Sequence, residues 1–256
     1  MSLDIWTRCA GRTEVRPLAT TAWRVVESQE RISTRQLVDS DAEHEMLERL
    51  IEEAKPRVPG APEFRGLHFL LLSPFRYPPL RHGSRFGASH EPSLWYGSES
   101  LETALAEAAY YRLVFFEGTE ARLLPNRISM SAFRAAIRSA SGIDLTAPPF
   151  DAHTAAISSR TGYTASQRLG SEMRGAGVEA FRYRSARDPG GGVNVALFTP
   201  RAFARRAPTG PPVTWHCTVT TAGDVSFLRE RPSGLVRHAF PRSTFLVSGE
   251  LPAPAP

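Results

Sequence analysis

The chain contains little cysteine and almost no lysine, and each shortage argues against a class of protein. Its two cysteines, Cys9 and Cys217, cannot form a disulfide framework and lack the spacing of a zinc site. We expect both to be ordinary thiols. Lys55 is the single lysine, so arginine carries nearly all of the positive charge behind the net charge of +5. Because these arginines are scattered, the sequence does not predict a nucleic-acid-binding surface.

The sequence also lacks long apolar runs and metal-binding spacings. No segment approaches the roughly 20 consecutive apolar residues of a membrane span. The N-terminal stretch "MSLDIWTRCAGR" has no apolar centre of the kind that marks a signal peptide. We therefore expect a cytoplasmic protein without a membrane partner. Four histidines form neither a helical pair nor a metal-binding spacing, so no metal site is predicted from His82, His90, His153 and His216.

Near the N-terminus, "WRVV" predicts a short strand and the following polar segment predicts a helix. The helix runs from about Ser40 to Lys55, with Asp39 or Ser40 as its N-cap, and Pro56 stops it. One side of this helix carries an apolar stripe formed by Met46, Leu47, Leu50, Ile51 and Ala54. The next segment, "LHFLLLSPF", is a continuous apolar run, for which we predict a buried strand.

The middle of the chain combines a turn-rich loop, a strand and a helix. "RYPPLRHGSRFGASHEPS" is rich in glycine and proline and predicts a loop with tight turns. "LWYGS" predicts the end of a strand. "ESLETALAEAAYYRLVFF" predicts a helix capped by Ser98 or Ser100, with Glu107 facing away from the apolar stripe that anchors the helix.

The second half predicts further strands, one helix and a C-terminal hairpin. "RISMSAFRAAIRSASGIDLTAPP" predicts a strand followed by a surface segment, and "TASQRLGSEMRGAG" predicts a helix. "VEAFRYRSARD" and "GGVNVALFTP" predict two strands, and "VTWHCTVTTAGDVSFLRE" a hairpin that turns at Ala222–Asp224. We predict one α+β domain over residues 22–205. Residues 1–21 form an N-terminal extension, 206–250 a hairpin extension and 251–256 a disordered tail.

Three polar residues in the middle of the chain, Arg85, Tyr96 and Glu107, stand eleven residues apart from one another. An arginine in the glycine turn "GSRFG" can contact a phosphate, and a tyrosine can stack on a flat ring. A glutamate can stabilise an oxocarbenium-like centre. Phosphate, flat base and ribose together describe a dinucleotide such as NAD. Each residue alone also fits a structural role, as a loop-bracing arginine, a core aromatic and a solvated carboxylate.

A second polar group surrounds the glycine run in "YRSARDPGGGVNVALF". Ser185, Arg187 and Asn194 flank the run, and Ser185 directly follows a predicted strand. Its hydroxyl could therefore reach a cleft at the edge of the sheet. The alternative is that Ser185 only hydrogen-bonds the backbone of its own loop. The run lacks the GxxxxGK[ST] pattern of a phosphate-binding loop.

These motifs resemble those of the RES domain family, toxins of bacterial toxin–antitoxin pairs named after an arginine, a glutamate and a serine. The resemblance rests on "GSRFG", "LWYGS", "ETALAEAAYYR" and "RYRSARDPGGGVNVALF", and it covers residues 22–203. It implies an ADP-ribosyltransferase-like mixed sheet that binds NAD in a cleft. Family members break the nicotinamide–ribose bond by hydrolysis or phosphorolysis, and some transfer ADP-ribose to a protein. Their partner is an Xre-type helix-turn-helix antitoxin that blocks the cleft.

The resemblance also implies a role for each matching residue. Arg85 would hold the NAD phosphates or the attacking anion, and Tyr96 would pack against the nicotinamide ribose. Glu107 would stabilise the ribosyl cation, and Ser185 would complete the nicotinamide side of the pocket. NAD is then the substrate, with water or inorganic phosphate as acceptor, and no further cofactor is implied.

The family also uses an earlier arginine, for which this sequence offers three candidates. Arg76 in "SPFRYPP" is our first choice, and Arg24 and Arg65 are its rivals. The leading hypothesis is therefore an NAD-degrading toxin. The alternatives are a mono-ADP-ribosyltransferase that modifies a protein and, less favoured because Arg85 and Glu107 are both present, an inactive binding module.

Overall fold

A computed structural model describes residues 4–28, 38–119 and 125–253. These residues form one mixed eight-stranded sheet and six α-helices, which confirms the predicted α+β class. The strands are β1 Arg16–Glu27, β2 Trp95–Ser98, β3 Asn126–Asp144, β4 Ala180–Arg184, β5 Val193–Leu197, β6 Val213–Val219, β7 Val225–Arg231 and β8 Gly234–Phe240. The helices are α1 Ile5–Arg8, α2 Asp41–Ala54, α3 Phe69–Arg76, α4 Leu101–Glu117, α5 Thr154–Ile157 and α6 Thr164–Gly175.

The long strand β3 is the hub of the sheet. It pairs antiparallel with β1 over most of its length, and its last residues pair in parallel with β4. The pairs β1–β2, β2–β5 and β5–β4 connect the remaining strands, so that β1, β2, β5, β4 and β3 form a closed ring. On the other side, the first residues of β3 pair with β6, and β7 and β8 follow as an antiparallel meander. The C-terminal hairpin thus belongs to the same sheet.

Alternation along β3 explains why this segment is a strand to its end. Phe133, Ala135 and Ile137 are buried, whereas Arg134 and Arg138 on the alternate positions are exposed. This is the two-residue period of a strand with one face on the core. The prediction of a strand followed by a surface segment was therefore too short. Pairing with β4 keeps the chain in the sheet as far as Asp144.

The apolar run "LHFLLLSPF" is not a strand, and this prediction was wrong. It forms the helix α3, because His68 acts as N-cap and its Nδ1 accepts a hydrogen bond from the Leu70 N–H at 3.2 Å. Of the α3 residues, Leu70 and Leu71 are buried, so only one side of this short helix packs against the core. An apolar run of this length has no period that separates a strand from a helix.

The helix predicted around residues 40–55 is confirmed as α2. Ser40 and Glu43 form a reciprocal capping box, each side chain accepting a hydrogen bond from the backbone N–H of the other. The apolar stripe contributes no buried residue: Met46 and Leu50 are 50% and 54% exposed. The helix is therefore defined by its local signals rather than by core packing.

The core is shared between the sheet and α4, the helix that carries Glu107. Ser100 is the N-cap of α4, since its Oγ accepts a hydrogen bond from the Thr103 N–H, while the rival Ser98 lies in β2. Buried residues line most sides of the helix, including Leu105, Ala109 and Leu113, so α4 is fixed relative to the sheet.

Both chain ends of the described part contact the core. Trp6 and Cys9 pack beside α6 and β4 in one apolar cluster, and β1 crosses the predicted boundary at residue 21. The predicted hairpin turn is present, with Gly223 at φ +83°. Residues 251–253, expected in a disordered tail, include the Pro252 carbonyl that accepts a hydrogen bond from the Tyr110 hydroxyl. Residues 254–256 lie outside the described ranges.

Within the described part of the chain, no helix is both long enough and apolar enough to cross a membrane. The same residues contain no cluster of three His, Cys, Asp or Glu side chains suited to a metal ion. Cys9 and Cys217 are buried free thiols, and burial raises the pKa of the Cys217 thiol to about 11. Both cysteines are therefore protonated at neutral pH, as expected for ordinary core thiols.

Candidate active site

A cavity of about 710 Å³ lies between β1, β2, the loop before β2 and one side of α4. This volume falls within the range of small-molecule sites. Arg85, Tyr96 and Glu107 all line it, so the fold brings together the three residues that the sequence spaces evenly. Ser185, Arg65 and Arg76 do not line it.

The Glu107 carboxylate is held at one of its two oxygens. Oε1 accepts hydrogen bonds from the Ser185 Oγ–H and from the Asn194 Nδ2–H, both at 2.6 Å. Asn194 is oriented in turn, because its Oδ1 accepts a hydrogen bond from the buried Ser98 hydroxyl at 2.7 Å. Among the described residues, none donates a hydrogen bond to Oε2. The carboxylate is thus fixed in rotation and keeps one oxygen for a ligand.

Ser185 hydrogen-bonds Glu107 and does not line the cavity, so its expected place beside nicotinamide stays a prediction. Its Oγ accepts hydrogen bonds from the backbone N–H groups of Arg187 and Asp188 at 3.1 and 3.0 Å. With both lone pairs occupied in this way, the hydroxyl proton points to Glu107. Ser185 therefore bonds its own loop and also orients the carboxylate.

The glycine loop that follows Ser185 is tied to the N-terminal turn of α4. Asp188 Oδ2 accepts hydrogen bonds from the Thr103 hydroxyl at 2.7 Å and from the Gly192 N–H at 3.2 Å. A Cβ on Gly192 would lie 2.0 Å from Thr103 Oγ1, so only glycine permits this approach. The loop and the helix consequently hold Ser185 and Glu107 in a fixed relation.

Arg85 sits in a tight turn that is built by α6. Gly83 has φ +68°, and the Ser84 N–H donates to the Gly87 carbonyl at 2.8 Å. Gln167 of α6 donates from Nε2 to the carbonyls of His82 and Ser84. Gly170, one turn further along α6, faces the Phe86 backbone so closely that a Cβ there would lie 2.0 Å from the Phe86 carbonyl oxygen.

The Arg85 guanidinium is buried, being 7% exposed, and has no carboxylate partner among the described residues. Its Nη1 donates to the Ser159 carbonyl at 2.7 Å, and its Cζ lies 4.8 Å from the centre of the Tyr163 ring. A carbonyl and an aromatic face hold a guanidinium without neutralising it. The Arg85 guanidinium therefore lies at the cavity wall without an acidic partner among the described residues.

Tyr96 uses its hydroxyl to brace the turn that carries Arg85. The hydroxyl hydrogen-bonds with Ser84 Oγ at 2.8 Å and accepts from the Phe86 N–H at 3.2 Å. Burial raises the pKa of Tyr96 to about 12, so the group is a neutral phenol at physiological pH. Its ring remains part of the cavity wall.

Of the three candidates for the earlier arginine, Arg24 lines the cavity, whereas our first choice, Arg76, does not. Arg76 instead pairs with Glu52 at 2.8 Å and donates to the Pro56 carbonyl. Arg65 is exposed at the surface. Arg24 donates from Nη1 to the Tyr96 carbonyl at 2.6 Å.

Arg24 adds a second positive charge to the cavity. Burial lowers the pKa of its guanidinium to about 10, which leaves it protonated at neutral pH. No described carboxylate forms an ion pair with it. The cavity therefore combines two arginines that lack acidic partners with one oriented carboxylate, Glu107, an arrangement suited to a ligand with both an anionic part and a developing positive charge.

Sequence reasoning assigned no role to the aromatic side chains around Glu107. Tyr111, Tyr163 and Tyr183 all line the cavity, and the hydroxyls of Tyr111 and Tyr163 lie 3.4 Å apart. Burial raises the pKa of Tyr183 well above its usual value, with the charge of Glu107 as the next contribution. For Tyr183 the sequence offered one signal, namely its place on the predicted strand two residues before Ser185.

We predict that Tyr96→Phe lowers the free energy of unfolding by about 1–3 kcal/mol, because the buried Phe86 N–H loses its acceptor. Chemical denaturation of the wild type and the variant measures this difference. Tyr111→Phe is the matched control, since its hydroxyl makes only the 3.4 Å contact with Tyr163, and it should change stability by less than about 0.5 kcal/mol. Equal stability of both variants and the wild type would show that the hydroxyl is not a brace.

Comparison with known proteins agrees with the motifs. A family model described as "RES domain" matches residues 57–219, well over half of the chain. The matched range contains Arg85, Tyr96, Glu107 and Ser185 and extends into the C-terminal hairpin as far as β6. No curated protein matches the sequence. On the strength of the family match and of the site that these residues form, the chain belongs to the RES domain family.

Proposed function

We propose that this protein binds NAD in the cavity and breaks the bond between nicotinamide and ribose. The observation that carries the proposal is the Glu107 carboxylate, fixed through Oε1 by two hydrogen bonds of 2.6 Å. It lines the same cavity as two arginines that have no acidic partner among the described residues. The guanidinium groups of Arg24 and Arg85 suit a pyrophosphate, because its negative charge would balance two cations that no described carboxylate neutralises. The tyrosine rings fit a flat heterocycle.

In the proposed reaction the C1′–N1 bond of the nicotinamide riboside breaks, and its electron pair moves to the ring nitrogen. Nicotinamide leaves as a neutral molecule, and the positive charge passes to C1′ and the ribose ring oxygen. The oriented carboxylate of Glu107 stabilises this charge as it develops, without having to reorganise. Water attacking C1′ then loses a proton and gives ADP-ribose, whereas phosphate gives a phosphorylated ADP-ribose.

Loss of NAD would make the protein a toxin, and we propose that it acts in the cytoplasm under the control of an Xre-type antitoxin. Three apolar side chains at the cavity wall are strongly exposed: Leu80, Phe115 and Tyr111, at 63%, 57% and 48%. Exposed apolar groups beside a site are typical of a surface that another protein covers. Blocking this mouth would exclude NAD.

The first test measures nicotinamide release from NAD by purified protein, with and without inorganic phosphate. We expect release by the wild type and a loss of about 100- to 1,000-fold in kcat for Glu107→Gln, which keeps the size of the side chain but removes its charge. Glu102→Gln, on an exposed position of the same helix, is the matched control and should stay fully active. Phosphate-stimulated release with a phosphorylated product identifies a phosphorylase, and phosphate-independent release a hydrolase.

Other results of this test speak against the proposal. Release that persists in Glu107→Gln would remove the glutamate from the mechanism. If free NAD is stable in both buffers but an added protein becomes ADP-ribosylated, the enzyme is a transferase. If neither occurs, the cavity is a binding site without this chemistry.

We further predict that Asn194→Ala lowers kcat by about 10- to 100-fold with little change in KM, because the carboxylate loses one of its two donors. Steady-state kinetics measures both constants, and thermal unfolding shows whether the variant is folded. Measuring the effect of Asn194→Ala in the Glu107→Gln background distinguishes a positioning role of Asn194 from a general structural one. There, Asn194→Ala should cost almost nothing more. An equal loss in both backgrounds would contradict the role.

A further inference from the structure

The cavity differs in character between its two ends. One end holds the charged and polar groups described above, Arg24, Arg85, Tyr96 and Glu107. The lining residues further along β1, β3 and α4 combine the apolar Phe115, Phe116, Ile128 and Met130 with the polar Glu27, Arg112 and Asn126. Arg112 lies five residues after Glu107 on α4, about 7.5 Å further along the helix axis. Glu27 lies three residues after Arg24 on β1, about 10 Å along the strand.

The carboxylate at this end is held by an arginine that is itself fixed. Arg112 donates from Nη1 to Glu27 Oε2 at 3.1 Å and from Nη2 to Asn126 Oδ1 at 3.2 Å. Its Cζ lies 5.0 Å from the centre of the Phe116 ring and 5.7 Å from that of Phe115. The Arg112 side chain is only 16% exposed, and its buried Nε has no hydrogen-bond partner within the described ranges.

Of the two charged groups at this end, the Glu27 carboxylate is the more exposed and therefore the one more accessible to a ligand. The Glu27 side chain is 63% exposed, and among the described residues none donates a hydrogen bond to its Oε1. The terminal nitrogens of Arg112 already donate to Glu27 and Asn126. A ligand in the cavity thus meets a fixed acceptor of hydrogen bonds beside an apolar, partly aromatic wall.

We propose that this end binds the adenosine half of the dinucleotide and that Glu27 makes the protein select NAD over NADP. The inference rests on the proposed function, since the reacting ribose must lie at Glu107. A pyrophosphate at Arg24 and Arg85 then directs the second ribose along the cavity toward Glu27. A carboxylate accepts hydrogen bonds from the ribose hydroxyls, and it repels a 2′-phosphate. The adenine ring packs against Phe115, whose side chain is largely exposed in the free protein.

Nicotinamide release from NAD and from NADP, measured side by side, tests the proposal. We expect the wild type to prefer NAD in kcat/KM by at least about tenfold. Glu27→Gln should narrow that preference, because it keeps a hydrogen-bonding side chain beside Arg112 but removes the charge that opposes the 2′-phosphate. Glu27→Ala should raise the KM for NAD by about 3- to 10-fold, with kcat unchanged, because the ribose hydroxyls lose their acceptor. Glu230→Ala, at an exposed position near the end of β7, is the matched control for folding.

Two results would overturn the proposal: equal use of NAD and NADP by the wild type, or Glu27 variants that lower kcat/KM for both dinucleotides by the same factor. If the wild type acts on neither dinucleotide, it is the proposed function that fails. The adenosine site is then tested by calorimetry with AMP and adenosine 2′,5′-bisphosphate. The site is supported if AMP binds at least about tenfold more tightly than the bisphosphate and if this preference is lost in Glu27→Gln. Equal binding of the two nucleotides, or no binding of either, rejects the site.

Discussion

The site depends on one interaction, the pair of short hydrogen bonds at Oε1 of Glu107. They join three elements that are far apart in the chain: helix α4, the loop after β4, and β5. The closed ring of strands makes this possible, because β2 and β5 are neighbours and place Ser98 next to Asn194. A carboxylate held in this way needs no rearrangement when a positive charge develops beside it.

The second constraint is positive charge that the protein leaves unneutralised. Arg24 and Arg85 each contact one carbonyl oxygen and one aromatic ring, and no described carboxylate pairs with either. Holding desolvated cations in this way is unfavourable for folding, as the lowered pKa of Arg24 indicates. Such an arrangement is typical of a site whose counter-ion is the ligand. At the end of the cavity near Glu27 the charges are already paired, since Glu27 forms an ion pair with Arg112. This end is therefore suited to the neutral hydroxyls of a ribose.

Much of the site could be predicted from local sequence. The Ser100 cap marks the start of α4, and the glycines around Arg85 define a tight turn. What could not be predicted depends on contacts between distant elements. Arg24 lines the cavity from β1, whereas Arg76 at the end of α3 pairs with Glu52 of α2. The orientation of the Ser185 hydroxyl is set by the two backbone N–H groups of its own loop that donate to its Oγ. The helix α3 was missed because a short apolar run has no distinguishing period.

The most direct test of the account is a crystal structure of the Glu107→Gln variant with NAD bound. The account predicts C1′ of the nicotinamide ribose within about 4 Å of the residue 107 side chain, a near-attack distance for the reacting centre. It also predicts the pyrophosphate on the guanidinium groups of Arg24 and Arg85, with the adenosine ribose at Glu27. A dinucleotide bound outside the cavity, or bound with its adenosine at residue 107, would contradict it.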